Sequence, residues 1–554
     1  MVLALIVISA LLLYQPKAPE VPQQTEVVRP TTGGIYTEGL IGTMNRLNPL
    51  LDLYSPADGD IDRLIFSGLI RFDDRGLPLG DLAESWGISQ DGKIYNFSLR
   101  SNAFWHDNSP VTSDDDIFTI GIMKDDRSLF SEDVKKLWGE VTIQRLDAKT
   151  LQFRLPEPYA PFLDYLSFGV LPQHLLDGQT YEELIDAPFN MQPVGSGPYR
   201  FDGFLVQNGQ IIGVALGANK SYYLQPPFIE KIIFRYYPDS ASVLAAYQNG
   251  EIMGISSVAP DILPKVLREP DLAIHTVRLP DEAMVFLNLD NPEAPFLGDP
   301  KVRRALLLGI NRQWLVDHLL QGQALIADGP VLPGSWAYFD GLERLDYDPE
   351  AAVEMLKKTG YTIPAAGGSV RANKDGKLLK VELLCPDVPE QRLIVEFIQK
   401  SWLQIGVGVT LKFVPYDVLV SDYLETRLYQ AALVNLNLAQ SPDPDPYPFW
   451  HQTQAIGGQN YTKWNDFQAS EYLEQARVRT NLGQRIKYYR NFQVRFSQEL
   501  PALPLYFPVY NYAIKSEVQG VSIGSLFKPS DRFMSITQWY LVSKLVTPGI
   551  TQTP

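Results

Sequence analysis

Asp299-Pro-Lys-Val-Arg-Arg-Ala-Leu-Leu-Leu308 and its echo, Asp348-Pro-Glu-Ala-Ala-Val-Glu-Met-Leu-Lys-Lys-Thr-Gly360, decide the helical half of the fold. In each, an aspartate stands at the N-cap, where its carboxylate accepts a free backbone N–H. A proline then takes the first helical position, which needs no donor. In the second stretch Ala352, Val353 and Leu356 form an apolar stripe and Gly360 ends the helix. Amphipathic spacing continues in Gln391–Ile405, Glu471–Arg479 and Gln484–Glu499, the last stopped by Pro501. Asp58–Leu69 reads as a helix entered through a polar cluster, and Thr112-Ser-Asp-Asp-Asp opens another, with Thr112 as cap and the acids in the first turn. No Ca2+-loop pattern with its glycine and closing glutamate follows those acids.

Strand signals are interleaved with these helices. Gly34–Ile41 alternates, and Leu503–Tyr512 is an apolar strand returning to an earlier sheet. A turn is expected at Asp73–Gly76. Asp91-Gly92 between two alternating runs predicts a hairpin of the primed type, with positive φ at both central residues. Helices and strands thus mix throughout, an α/β (mixed α+β) class.

A chain of 554 residues exceeds one hydrophobic core, so two to four domains are expected. Its composition, 45% hydrophobic and 20% charged, is that of a soluble globular protein. The net charge of −16 argues against nucleic acid, which requires a basic footprint, and against docking on anionic lipid. The single cysteine, Cys385, lies in the apolar run Val381–Cys385, a buried strand position; one cysteine excludes an internal disulfide and a thiolate zinc site.

Val2–Leu13 is apolar except for Ser9. As a helix it would span about 18 Å, short of the roughly 30 Å bilayer core. It has the length of a signal segment without a preceding basic region. Residues 1–14 are therefore expected to be a membrane anchor or truncated signal, placing the protein outside the cytoplasm and tethered to the cell membrane. Residues 15–32, with four prolines, are expected to be an extended linker, and 546–554 a loose tail.

No nucleophile elbow, Walker loop, dinucleotide fingerprint or H-E-x-x-H is present. The five histidines, 106, 174, 275, 318 and 451, are scattered singly, so neither a catalytic residue nor a metal ligand is nominated and no cofactor is implied. The chain reads as a non-enzyme. Asn435-Leu-Asn-Leu-Ala-Gln-Ser-Pro-Asp-Pro-Asp-Pro-Tyr-Pro-Phe-Trp450 is different: its prolines at 442, 444, 446 and 448 exclude a central strand, so an ordered loop carries Asp443 and Asp445. These acids are either turn formers or ligand contacts.

Seven phrases carry a family resemblance in their order and spacing: Gly68–Asp73, Asp81–Trp86, Phe104–Thr112, Pro193-Val-Gly-Ser-Gly-Pro-Tyr199, Val302–Leu306 with Ile310–Arg312, Tyr347–Glu350, and Ser441-Pro-Asp-Pro-Asp445. Over roughly residues 33–540 the chain resembles the family 5 extracellular solute-binding proteins of ABC importers, of the oligopeptide- and dipeptide-binding type. The resemblance implies a two-lobed periplasmic-binding-protein-like fold with a hinge and an extra domain in the N-terminal lobe. Carried over, lobe I is 33–60 with 190–275 and 500–545, the extra domain is 61–189, and lobe II is 276–499. The implied function is capture of a peptide or other small solute between the lobes and its delivery, by a monomer, to a membrane permease.

Relatives use an acid of the 435–450 passage to pair with the ligand's ammonium; here that position is the neutral Gln440, so Asp443 or Asp445 substitutes or the ligand lacks a free amine. Asn48, Trp336, Tyr338, Trp450, Tyr461 and Trp464 lie in segments that approach the cleft in relatives. Gln440 and these aromatics also motivate an alternative, the same fold binding a sugar or a metal chelate. A hydrolase is the remote alternative, without a motif to support it.

Overall fold

The computed structural model describes residues 27–438 and 442–546. The expected anchor at 1–14, most of the expected linker, the tail beyond 546 and Gln440 lie outside the described residues.

A single sheet runs through both lobes. In lobe II the strands Gly408–Val414, Lys380–Pro386 and Ala431–Asn437 run parallel, followed by antiparallel Asp281–Leu287. The long strand Ala502–Lys515 comes next. Lobe I continues with Gly254–Ile255, Ile35–Ile41, Lys231–Tyr237, Gln210–Ala218 and Tyr199–Gln207. Val381, Leu383 and Cys385 are buried against Ile394, Val395, Ile398 and Trp402 of the helix Pro389–Gln404. Each such apolar side chain stabilises the lobe by about 1.5–3 kcal/mol.

The strand Ala502–Lys515 serves both lobes. Its first half pairs with Asp281–Leu287 and buries Leu503, Leu505 and Tyr506 in the lobe II core; its second half pairs with Leu272–Arg278 and buries Tyr512 and Ile514 in lobe I. A lobe boundary at residue 500 therefore precedes a strand that belongs to both sides. The chain crosses between lobes at Leu279-Pro280 and again near Pro508, and the two crossings touch: the Leu279 N–H donates to the Pro508 carbonyl at 2.9 Å.

The segment 61–189 contains an antiparallel sheet in the order Ala83–Ile88, Ile94–Leu99, Thr150–Arg154, Thr142–Asp147. Its Phe97, Phe153, Phe162 and Trp138 pack edge to face or tilted. The core of this sheet is continuous with that of lobe I.

The two Asp-Pro helices form as expected. Asp299 caps Pro300–Leu308 through the Lys301 N–H at 2.8 Å, and Asp348 caps Pro349–Lys358 through the Ala351 N–H at 2.9 Å. The hairpin at Asp91-Gly92 forms with a different turn. Only Gly92 has positive φ (71°), and the turn is closed by the Gly92 N–H on the Ser89 carbonyl at 2.9 Å, because a four-residue Ser89–Gly92 turn needs one left-handed residue instead of two.

The linker expectation also needs correction at its end. Val27–Thr31 is a strand paired antiparallel with Val542–Val546, Arg29 opposite Lys544. Pro30 is tolerated because this two-stranded ribbon has a free edge on each side.

Lobe I holds a buried charge network. Arg532, fully buried, donates to Glu38 at 2.6 Å and to both oxygens of Asp60 at 2.6 and 2.7 Å. Tyr36 and Tyr512 donate to the other Glu38 oxygen at 2.6 and 2.9 Å, which ties the strand Ile35–Ile41, the helix Pro56–Ile65 and the shared strand to the C-terminal segment.

Candidate functional site

The loop after Ala431–Asn437 carries its two acids to the line where lobe II meets the 61–189 segment. Asp443 is almost fully buried. Its carboxylate pairs with Arg485 and accepts from the Tyr489 hydroxyl at 2.8 Å, while its backbone N–H donates across the lobes to Asp164 at 2.6 Å. Asp445 takes a forked pair of bonds from Arg477, Nε at 2.8 Å and Nη2 at 2.7 Å, and accepts from the Tyr159 hydroxyl of the other lobe at 3.4 Å. The Arg477 guanidinium lies 3.9 Å over the Tyr447 ring and that of Arg485 4.9 Å over Trp336. Burial alone would lower the pKa of both guanidiniums; Asp443 beside Arg485 and Asp445 beside Arg477 outweigh it and raise both.

Each acid is thus matched by a cation of its own chain. Chemically the arrangement joins the lobes: Asp443 and Asp445 are fixed by lobe II helices and present one N–H and one carboxylate oxygen to Asp164 and Tyr159 of the facing segment. The Trp336 backbone N–H adds a bond to the Arg75 carbonyl at 2.9 Å. Between the lobes, Pro330, Leu332, Ser335, Leu438, Pro442, Pro444 and Phe527 line a cavity of about 20 Å³. That is room for one water. Any larger solute enters this face only when the lobes part. A bigger depression, about 560 Å³, is lined by lobe II residues alone, among them Asp290, Glu293, Arg427 and Lys463.

The other sequence-nominated residues divide. Trp336 stands beside the interlobe contact, its ring tilted 52° against Tyr489 with centroids 5.6 Å apart, and the Tyr338 N–H donates to the carbonyl of Ser335 in the cavity wall at 3.2 Å. Trp450 and Trp464 are core pillars of lobe II. Trp450 packs on Phe286 (5.8 Å) and Phe496 (4.8 Å), Trp464 on Phe492 and Phe496, and neither offers an open ring face for a sugar. Tyr461 is half-buried under Arg427, and its carbonyl accepts from Tyr429. Asn48 is fully buried in lobe I; its amide donates to Asn190 at 3.0 Å and its oxygen accepts from the Leu50 N–H, the bonding of a structural turn.

Sequence reasoning did not find Arg477, Arg485, Tyr159 or Asp164. One signal was available for Arg485. Residues 485, 489, 492 and 496 form one face of the helix Leu482–Glu499, and the other three members are buried aromatics, so a charge at the head of that stripe requires a buried partner. Glu282, whose carboxyl burial pushes well above the usual range with a smaller push from Asp328, was also missed.

Two of the seven phrases meet in lobe I. His106 and the Gly195-Ser-Gly197 turn exchange three bonds: His106 N–H to the Gly195 carbonyl (2.8 Å), Gly195 N–H to His106 Nδ1 (3.3 Å), and His106 Nε2 with the Gly197 carbonyl (3.1 Å). Accepting at Nδ1 and donating at Nε2 requires the neutral ring, and burial lowers its pKa to about 4. An unfolded histidine titrates near pH ~6.5. The neutral ring's stabilisation is therefore complete above that pH and is lost as pH falls toward 4. Urea midpoints measured across this window should fall more steeply for the wild type than for His106→Gln; parallel curves would contradict this.

The family model for bacterial extracellular solute-binding proteins, family 5 (middle part), matches residues 78–459. The oligopeptide-binding protein AppA of Bacillus subtilis (strain 168) is 26% identical over 525 residues, covering 93% of this chain and 92% of the relative. The dipeptide-binding protein of Escherichia coli (strain K12) is 26% identical over 477 residues, 81% of this chain and 84% of the relative. Among solved structures, NikZ from Campylobacter jejuni in complex with Ni(L-His) superposes with a TM-score of 0.66 at 26% identity, over 91% of this chain and 99% of that one.

Proposed function

Because the chain belongs to the bacterial extracellular solute-binding proteins of family 5, we propose that it captures peptides between its two lobes and delivers them to an ABC permease. The observation that carries this reading is the interlobe face itself. Two lobes joined by two strand crossings meet through a few polar bonds, Asp443 to Asp164 and Asp445 to Tyr159, over a cavity too small for any solute. Such a joint opens and closes about the crossings. A ligand that bridges the lobes favours the closed form by its differential affinity for it.

On this reading lobe I and its extra domain at 61–189 form one wall, and lobe II the other. Trp336 and Tyr338 flank the solute, and Asp443 and Asp445 with their arginines set the closing contact. Main-chain bonding of an extended peptide along the lobe II strand end near Leu438 gives affinity without sequence selectivity. The protein acts as a monomer, performs no chemistry on its cargo, and works outside the cytoplasm, tethered through the apolar run Val2–Leu13. Relatives named for oligopeptides and dipeptides support the peptide cargo.

Thermal-shift titration with pooled di- to hexapeptides tests this. A ligand at about 100 times its Kd adds about 2.7 kcal/mol of stability. A shift with the peptide pool supports the reading; no shift at any concentration, with a shift from sugars or Ni(L-His), would sink it.

A further inference from the structure

Glu282 lies on the strand Asp281–Leu287, two and four residues before Met284 and Phe286. Side chains two apart share one face of a sheet. Met284 and Phe286 belong to the cluster that contains Trp336, Trp450 and Leu436, so Glu282 extends that row toward the crossing at Leu279-Pro280. Its cross-strand neighbour in register is Leu436. The next residue on that face of the neighbouring strand, Leu438, lines the small interlobe cavity together with Ser335.

Glu282 is 0% exposed, and among the described residues neither of its carboxylate oxygens has a hydrogen-bond partner. The buried Ser335 hydroxyl in the cavity wall has none either. The nearby acid, Asp328, is of the same sign and is already paired with Arg312 at 3.3 Å. A buried carboxyl without donors is a costly choice where a leucine would pack, because buried polar groups are ordinarily satisfied. It becomes favourable once a cation reaches it. The two acids of the 442–445 loop have their arginines; among the described residues no cation pairs with Glu282.

We propose that Glu282, at the hinge end of the interlobe face, is the anchor for a positively charged amine of the captured solute, with the Ser335 hydroxyl as a second contact. This rests on the peptide reading, and a peptide's N-terminal ammonium is the cation it takes. Parting of the lobes opens the cavity beside Leu438 and brings that ammonium to the carboxyl, which ionises and accepts its hydrogen bonds.

Calorimetric titration of the full chain and of Glu282→Gln, each with pooled tri- to pentapeptides and the same pool N-acetylated, tests the assignment. The wild type should bind the free pool about 10- to 100-fold more tightly than the acetylated pool, the range of a charge-assisted bond. Glu282→Gln should lose that preference and bind the acetylated pool as the wild type does. Glutamine is isosteric and no existing bond is cut; should the variant nonetheless not fold, Glu282→Asp, which withdraws the charge by one methylene, should reduce the preference. A preference that survives both substitutions overturns the anchor, and so does a wild type that binds both pools equally, while peptide capture stands in either case. A wild type that binds neither pool overturns the peptide reading and the anchor together.

Discussion

Arg485→Leu should lower the unfolding free energy by about 3–5 kcal/mol, the cost of stranding one half of a buried ion pair. Asp443 is 4% exposed, and Arg485 supplies its only opposite charge among the described residues. The leucine would retain packing against Trp336 but leave a carboxylate with neutral donors alone, the Tyr489 hydroxyl at 2.8 Å and the Asp445 N–H at 3.2 Å. The double variant Arg485→Leu/Asp443→Asn should recover most of the loss, because the penalty belongs to the uncompensated charge and not to the missing side chain. Denaturant titration of the four-member cycle measures this. A loss below about 1 kcal/mol in the single variant, the value of an exposed pair, would mean that water reaches Asp443 and that the lobes are not joined as described.

Gly195→Ala should cost about 3 kcal/mol, at or beyond the upper end of ordinary overpacking. A Cβ at Gly195 would stand 1.9 Å from the Ile65 carbonyl oxygen and 2.8 Å from the Ile65 Cγ2 atom. Backbone cannot swing aside as a flexible side chain can. The turn is held from the other side as well, since the Gly197 N–H donates to that same carbonyl at 2.8 Å. The matched control is Gly139→Ala. Gly139 sits in the exposed helix Glu132–Glu140 with nothing within 4 Å of its Cβ direction, and alanine there should stabilise by about 0.5–1 kcal/mol. Thermal midpoints that move together for the two variants would show that the Gly195 approach is not tight. The phrase Pro193–Tyr199 is thus a packing device: its glycines let a strand entry lie on the end of the helix Pro56–Ile65.

What could be read in the sequence follows from how local its cause is. Asp299-Pro300 and Asp348-Pro349 announced their helices because cap, start and stripe are all within a dozen residues. Asp91-Gly92 announced a hairpin but not its turn, since the choice depends on whether Ser89 or Asp91 closes it. The strand Val27–Thr31 was hidden because its partner, Val542–Val546, stands at the other end of the chain. At the interlobe face the loop bearing Asp443 and Asp445 was legible from its prolines. Its role was not, because the arginines that match these acids lie on later helices and the groups that face them, Tyr159 and Asp164, come 286 and 279 residues earlier. Trp450 and Trp464 were ambiguous by nature: an aromatic in an apolar neighbourhood reads the same whether its ring closes a core or a cleft. Glu282 sat beside Asp281 at the head of an apolar strand, and only its lack of partners among the described residues singles it out.

The hydroxyls of Tyr36 and Tyr512 touch at 2.7 Å although 476 residues separate them. The order of assembly follows from that contact. Among the described residues, the stretch 281–508 carries all of the lobe II sheet strands, so lobe II can fold as soon as its own segment is available. The first lobe must hold its early strands open until the segment from Tyr510 to Trp539 arrives to complete its core. Contacts of such sequence span close slowly and leave apolar strand edges exposed meanwhile. The N-terminal lobe is therefore the last part of the molecule to become native, and an interrupted chain leaves a finished lobe II attached to an unfinished lobe I.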